Sequence, residues 1–97
     1  MTPSDFKTSA AGDKPPADLT SSLRALWWAA KGDWDKAHKI VMDDDSADAA
    51  WVHAYLHRVE GDLPNARYWY AQAKRDVASS ALEAEWAAIT ADLLVNN

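Results

Sequence analysis

Apolar residues recur at helical spacing along most of the chain, starting just after Pro16. In the first such stretch, Leu19, Leu23 and Leu26 lie three or four positions apart and therefore share one face of a helix. Alanine is abundant, β-branched residues are scarce, and glycine and proline fall at or beside the breaks between stretches. The pattern predicts an all-α protein with five helices, over residues 17–31, 34–43, 47–60, 63–75 and 81–94.

Two of the predicted breaks share the same local sequence. Gly32 and Gly61 each stand where a helix is predicted to end, because glycine readily adopts the left-handed conformation that follows a helix. An aspartate follows each glycine and is expected to cap the next helix. This repetition predicts that one helical hairpin is used twice.

The repeated pattern resembles the tetratricopeptide repeat (TPR), a helical hairpin with small residues at its close contacts. The resemblance covers roughly residues 19–75. It implies a TPR-like stack of two hairpins with helix 81–94 as the C-terminal capping helix, and a peptide or a helix bound on the concave face. The first copy matches at Ala25, Gly32, Asp33, Trp34 and Ala37, and the second at Ala54, Gly61, Asp62, Leu63 and Ala66.

The first 15 residues differ in composition from the rest of the chain. They are rich in proline, serine and threonine, and Phe6 is the one large aromatic side chain among them. Such a segment buries too little apolar surface to offset the entropy lost on ordering. We therefore predict a disordered N-terminal tail over residues 1–15 and a single helical domain over 16–97. The alternative is an arm that docks Phe6 on the domain or on a partner.

Composition and charge exclude several classes of protein. The 15 acidic and 10 basic residues give a net charge of −5, which argues against nucleic-acid binding. There is no cysteine, so disulfides, thiolate metal sites and a cysteine nucleophile are excluded. No apolar run is long enough for a membrane span, and no secretory signal is visible at the N-terminus. We predict a cytoplasmic protein that contacts neither nucleic acid nor membrane.

The best candidate for chemistry is a set of three residues in helix 47–60. His53, His57 and Glu60 lie within one arc of that helix, and an i, i+4 histidine pair with a nearby carboxylate can bind a divalent metal. His38 could add a third nitrogen. The simpler interpretation is a polar face turned to water, since these residues fill the gap in an apolar arc. The helical wheel predicts that both histidines point outward, whereas the TPR resemblance implies that they point inward. We adopt the orientation given by the wheel, because it uses every residue of the helix. With the simpler interpretation of a polar face, we predict no metal site.

A second candidate surface lies on the corresponding face of helix 17–31. It consists of Arg24, Trp28 and Lys31. If the two hairpins stack, these residues are expected to join the histidine face in one strip suited to an anionic or peptide ligand. The alternative is that Trp28 packs against helix 47–60 and the cations are solvated.

These observations favour a small non-catalytic module for protein binding or assembly. Its partner would be a protein, a peptide or a second copy of the chain, and no cofactor is predicted. The alternative is a protein that binds a small ligand or a metal through His53, His57 and Glu60. An enzyme with a histidine as general base is disfavoured, because the sequence places no second catalytic group beside it.

Overall fold

The structure, a computed structural model, describes residues 1–95 and consists of α-helices joined by turns and loops. No strand occurs within those residues, so the prediction of an all-α fold is confirmed. None of the helices in the described part has both the length and the apolar character needed to cross a membrane. Residues 96 and 97 of the predicted domain lie outside the described residues. The helices are α1 (Pro3–Ser9), α2 (Ser21–Ala30), α3 (Trp34–Met42), α4 (Ala47–Glu60), α5 (Leu63–Ala73) and α6 (Leu82–Val95).

Side-chain caps explain where the helices begin. Thr20, Asp33, Ser46 and Asp62 precede α2, α3, α4 and α5, and each side chain accepts a hydrogen bond from a backbone N–H in the first turn. The starts predicted at residues 34, 47 and 63 are therefore confirmed. Helix α2 begins later than predicted, because Asp18 has a left-handed φ of 63° and Thr20 provides the cap.

The two glycines that end helices have the predicted left-handed conformation. Gly61 has φ of 86° and Gly32 has φ of 92°, and a Cβ built at either position meets no atom within 4 Å. An alanine at either position would therefore clash with no neighbouring atom, and its cost would come from the left-handed backbone conformation alone. We expect Gly61→Ala to lower the free energy of unfolding by about 1 kcal/mol, and Gly32→Ala to do the same. Urea unfolding followed by tryptophan fluorescence measures both, and an unchanged midpoint in either variant contradicts the expectation.

Helix α4 lies at the centre of the fold, in contact with α2, α3, α5 and α6. Every residue from Ala49 to His57 is buried. The most extensive contact of α4 is with α5, and α2 in turn packs mainly against α3. A helix enclosed in this way has no polar face turned to water, so its polar side chains need partners inside the protein.

The N-terminal segment folds, and the prediction of a disordered tail is wrong for it. Its helix α1 packs on α2 and α6, so residues 1–95 contain six helices rather than the predicted five. Phe6 is fully buried and stacks on Trp86, with 6.1 Å between ring centroids. The indole Nε1 of Trp27 donates a hydrogen bond to Ser9 Oγ at 3.0 Å. One buried aromatic ring and a few polar contacts therefore hold a segment whose own composition is typical of disorder.

Candidate functional site

Three histidines meet between α3 and α4. His53 and His57 stand one turn apart on α4, and His38 comes from α3 on the neighbouring hairpin. The Nε2 atoms of His38 and His53 are 3.0 Å apart, so one ring donates a hydrogen bond to the other. One ring nitrogen from each of the three histidines lies within 4.8 Å of the other two. We refer to these three residues as the histidine cluster.

Two tryptophans hold the rings of the cluster in place. Trp34 stacks on His38 with 4.6 Å between centroids, and Trp69 stacks on His53 at 4.0 Å. The indole of Trp34 is itself fixed, because its Nε1 donates a hydrogen bond to the carbonyl oxygen of Leu56 at 2.7 Å. Flat contacts on both rings restrict their rotation, so the imidazoles are oriented before any ligand arrives.

A carboxylate fixes the orientation of the third ring. His57 Nδ1 lies 2.6 Å from Glu60 Oε1, and the Glu60 side chain is about one-third exposed. This contact places the proton on Nδ1 and leaves the lone pair of neutral His57 on Nε2. A carboxylate in this position is the usual outer partner of a metal-bound histidine. Asp62 also lies near His57, but its side chain caps α5 through the N–H of Asn65.

Burial favours the neutral form of two members of the cluster, His53 and His38. Burial, together with the smaller effects of the neighbouring His38 and His57, lowers the pKa of His53 to about 4. Burial and His57 also lower the pKa of His38, against the opposing effect of Glu60 and Asp35. Both side chains are therefore uncharged imidazoles at neutral pH, the form that binds a metal ion.

The prediction that His53 and His57 point to water is wrong. Each is 5% exposed. The helical wheel placed them in a gap of the apolar arc, but α3 and α5 cover that side of α4, and their histidine and tryptophan side chains fill the space beside it. The inward orientation implied by the TPR resemblance agrees with the burial of both rings.

Lys31, predicted to belong to a ligand-binding strip, is used inside the fold. Its ammonium donates hydrogen bonds to the carbonyl oxygens of Ala10, at 3.0 Å, and Gly12. It also lies 5.3 Å from the centroid of the Trp27 ring. Lys31 thus fastens the end of the N-terminal segment to α2.

The remaining members of the predicted strip do not meet the histidine cluster. Trp28 is half-buried against the core and carries Lys36 Nζ over its ring at 4.0 Å. Arg24 is exposed. Among the described residues, no hydrogen bond, ion pair or ring contact joins Arg24, Trp28 or Lys31 to the histidines. The structure therefore does not bring the six predicted residues together in one surface.

Sequence reasoning gave His38 only a secondary place and missed both tryptophans. One signal was available on α3, where Trp34 and His38 are four residues apart and so share a face. No comparable signal connects Trp69 to His53, because their contact depends on how α5 packs against α4.

The low pKa of His53 predicts that the metal-free protein loses stability in acid. In the unfolded chain this histidine takes up a proton near pH 6.5, whereas in the folded state it does so only near pH 4. Above pH 6.5 this histidine is neutral in both states and does not change the free energy of unfolding. As the pH falls from 6.5 toward 4, protonation favours the unfolded chain and lowers the free energy of unfolding by about 3 kcal/mol at most. Urea unfolding at pH 7 and pH 4.5 in the presence of a chelator measures this loss. His53→Asn serves as the reference, and equal losses in the variant and the parent contradict the prediction.

Comparison of the chain with protein-family models, with curated proteins and with solved structures gives no match. The function of the histidine cluster therefore has to be inferred from its own geometry.

Proposed function

We propose that this protein binds a divalent transition-metal ion through His38, His53 and His57. The observation that carries the proposal is the convergence of three buried or half-buried imidazoles, with one nitrogen of each within 4.8 Å of the others. An all-imidazole ligand set suits zinc, copper or nickel, and does not suit magnesium or calcium, which prefer oxygen. Three protein nitrogens also leave one position of a tetrahedral ion open to a further ligand.

The spacing of the nitrogens is compatible with a single ion. Bonds from zinc to imidazole are about 2.0–2.1 Å long, so two nitrogens on one tetrahedral ion lie about 3.4 Å apart. His38 and His53 already have Nε2 atoms 3.0 Å apart. Binding would replace the hydrogen bond between these two rings with two bonds to the ion, and the proton of the donating Nε2 would move to Nδ1 of the same ring or be released to solvent. The nitrogens of the cluster, which lie within 4.8 Å of one another, would have to come to about 3.4 Å.

The surroundings of the cluster support the same function. Glu60 fixes the tautomer of His57, and Trp34 and Trp69 hold the other two rings. The imidazoles are therefore held close to the arrangement that the ion needs, so little ordering entropy is lost when it binds.

Metal binding would also connect the two helical hairpins, α2–α3 and α4–α5. Helix α3 pairs with α2, and α4 pairs with α5, and each pair is connected through a Gly-Asp turn. This pairing supports the TPR-like stack proposed from the sequence. An ion held by His38 and by the two histidines of α4 would lie between the hairpins and stabilise their packing, because it binds the folded state alone.

The test is a titration of zinc chloride into chelator-treated protein, followed by calorimetry and thermal unfolding. We expect one ion per chain and a rise in melting temperature. His38→Ala is the most informative variant, because His38 is the least buried ligand. Glu60→Gln, which changes only the hydrogen-bond partner of His57, should lower the affinity for zinc by about 10–100-fold. His38→Ala should lower it by more. Lys39→Ala, an exposed change on the same helix, should bind like the parent. Absence of zinc binding, or unchanged binding by His38→Ala, overturns the proposal.

A role in protein binding or assembly stays a prediction, as do the absence of catalysis and the cytoplasmic location. The surface predicted for a partner is not assembled, since Lys31 is bound to the N-terminal segment and Trp28 lies under Lys36. The metal site is the function that the geometry supports best.

A further inference from the structure

A cleft lies between α5 and the loop that joins α3 to α4, and it has a volume of about 280 Å³. Its lining combines acidic and aromatic side chains with a few small or flexible ones: Met42, Asp44, Asp45, Ser46, Ala50, Tyr68, Trp69 and Gln72. We refer to it as the acidic-aromatic cleft. A cavity of about 150 Å³ accepts a benzene ring, so this cleft has room for a planar group that carries a short alkyl chain.

Two aromatic rings form one wall of the acidic-aromatic cleft. Tyr68 and Trp69 lie at 89° to each other, with 5.1 Å between their ring centroids. Trp69 is held in place because its ring also stacks on His53 at 4.0 Å, whereas Tyr68 is 56% exposed. The faces of such rings attract cations. The wall is therefore suited to a positively charged ligand.

Two carboxylates give the cleft its negative charge. Asp44 accepts hydrogen bonds from the hydroxyl of Ser21 and, at 2.8 Å, from the backbone N–H of Ser46. Both bonds lower the pKa of Asp44, so it is ionised at neutral pH. A carboxylate has about four acceptor positions, so Asp44 can accept further bonds from a ligand. Asp45 is exposed, and the ion pairs found among residues 1–95 include neither of these two carboxylates.

The protein itself supplies no cation to this cleft in the part that the structure describes. Elsewhere in the fold a guanidinium lies over an indole, since Arg75 Cζ is 3.5 Å from the centroid of the Trp51 ring. Among residues 1–95 no lysine or arginine lies over Tyr68 or Trp69, and none lines the cleft. The rings and the carboxylates are therefore free to pair with a cation from outside the chain.

We propose that the acidic-aromatic cleft binds a small organic cation that carries a guanidinium group. A guanidinium both stacks on aromatic rings and pairs with carboxylates through its N–H donors. Here it would lie against the aromatic wall and donate to Asp44 and Asp45, and its alkyl substituent would lie against Met42. An ammonium group is compact and strongly hydrated and has no flat face to stack. The site goes beyond the proposed metal centre and needs no ion there.

Three probes of similar length separate charge from shape. n-Butylguanidinium has the planar cation, n-butylurea has a similar planar group without the charge, and n-butylammonium has the charge without the planar group. The full chain is titrated in the presence of a chelator, so the outcome does not depend on metal binding. The indole N–H resonance of Trp69 in proton–nitrogen NMR spectra measures both affinity and location. We expect n-butylguanidinium to bind about fivefold more tightly than n-butylurea and more tightly than n-butylammonium, with an affinity that falls as sodium chloride is added.

Matched variants identify the groups that hold the cation. Asp45→Asn removes a charge from the cleft and should weaken the binding of n-butylguanidinium about threefold. Asp48→Asn removes an exposed carboxylate of α4 that does not line the cleft, and it should bind nearly like the parent. Tyr68→Leu removes an aromatic ring and should weaken binding about threefold, whereas Tyr68→Phe keeps the ring and should bind like the parent.

Three results would overturn the proposal. The first is an unchanged Trp69 resonance on addition of n-butylguanidinium. The second is binding of n-butylurea or n-butylammonium as tight as that of n-butylguanidinium. The third is parental affinity in both Asp45→Asn and Tyr68→Leu. Both substitutions are at exposed positions, so the variants are expected to fold like the parent.

Discussion

Replacing Phe6 with alanine is expected to lower the free energy of unfolding by about 3–5 kcal/mol, the range for a fully buried phenylalanine. The ring is fully buried and stacks on Trp86 of α6, so its loss leaves a cavity between α1 and the rest of the protein. Urea unfolding followed by far-ultraviolet circular dichroism measures the change. Lys7→Ala, an exposed substitution on the same helix, should change the free energy of unfolding by less than about 0.5 kcal/mol.

Deletion of residues 1–12 extends the same test to polar contacts. It removes the Ser9 hydroxyl that accepts from Trp27 and the carbonyl groups that accept from Lys31. Because Trp27 is fully buried, its indole N–H would lose its partner inside the core. We expect the truncated protein to be destabilised at least as much as Phe6→Ala. A truncated protein that melts like the full chain would show that α1 does not contribute to the fold.

The helices that the sequence predicts correctly are those with signals in their own residues. Helix α4 has a serine cap at its start and a left-handed glycine at its end, and its predicted bounds agree with the structure. Helix α1 has a capping box between Thr2 and Asp5 and a proline in its first turn, but it is a single short helix with one buried residue. A helix of that length is not stable alone, so its presence depends on Phe6 docking against α6, which no local pattern reveals.

In the candidate site, too, some features are visible in the local sequence and others depend on packing between helices. The i, i+4 spacing of His53 and His57, and the carboxylate one turn beyond, are visible in the sequence. Their burial is not, because a helical wheel assumes that one side of the helix meets solvent. Helix α4 has neighbours on several sides, so the gap in its apolar arc is filled by His38 and Trp69 rather than by water. Side chains that meet across helices are set by packing and cannot be read from one helix.

The buried carboxylate of Glu85 links three helices in the C-terminal half of the fold. Glu85 is 4% exposed and receives a hydrogen bond from Arg58 Nη1 at 2.6 Å and another from the Tyr70 hydroxyl. Arg58 also donates through Nη2 to the carbonyl oxygen of Ser80 at 2.6 Å. Burial and the bond to Glu85 raise the pKa of Tyr70, and the bond to Glu85 raises the pKa of Arg58, so both remain donors. One carboxylate thus connects α4, α5 and α6.

Glu85→Ala should therefore be among the most destabilising single substitutions in this chain. It leaves the largely buried Arg58 guanidinium without its counter-charge and the Tyr70 hydroxyl without an acceptor. Removing one partner of a buried ion pair typically costs about 3–5 kcal/mol. Glu83→Ala, an exposed change at the second residue of α6, is the matched control and should cost less than about 0.5 kcal/mol.

A double-mutant cycle separates the network from simple loss of packing. If Glu85 and Tyr70 share a hydrogen bond, Tyr70→Phe should cost less in the Glu85→Ala background than in the parent protein, because its partner is already gone. Additive losses of unfolding free energy would mean that the two side chains do not interact. A cost for Glu85→Ala no greater than that for Glu83→Ala would mean that the carboxylate is not needed at the junction of the three helices.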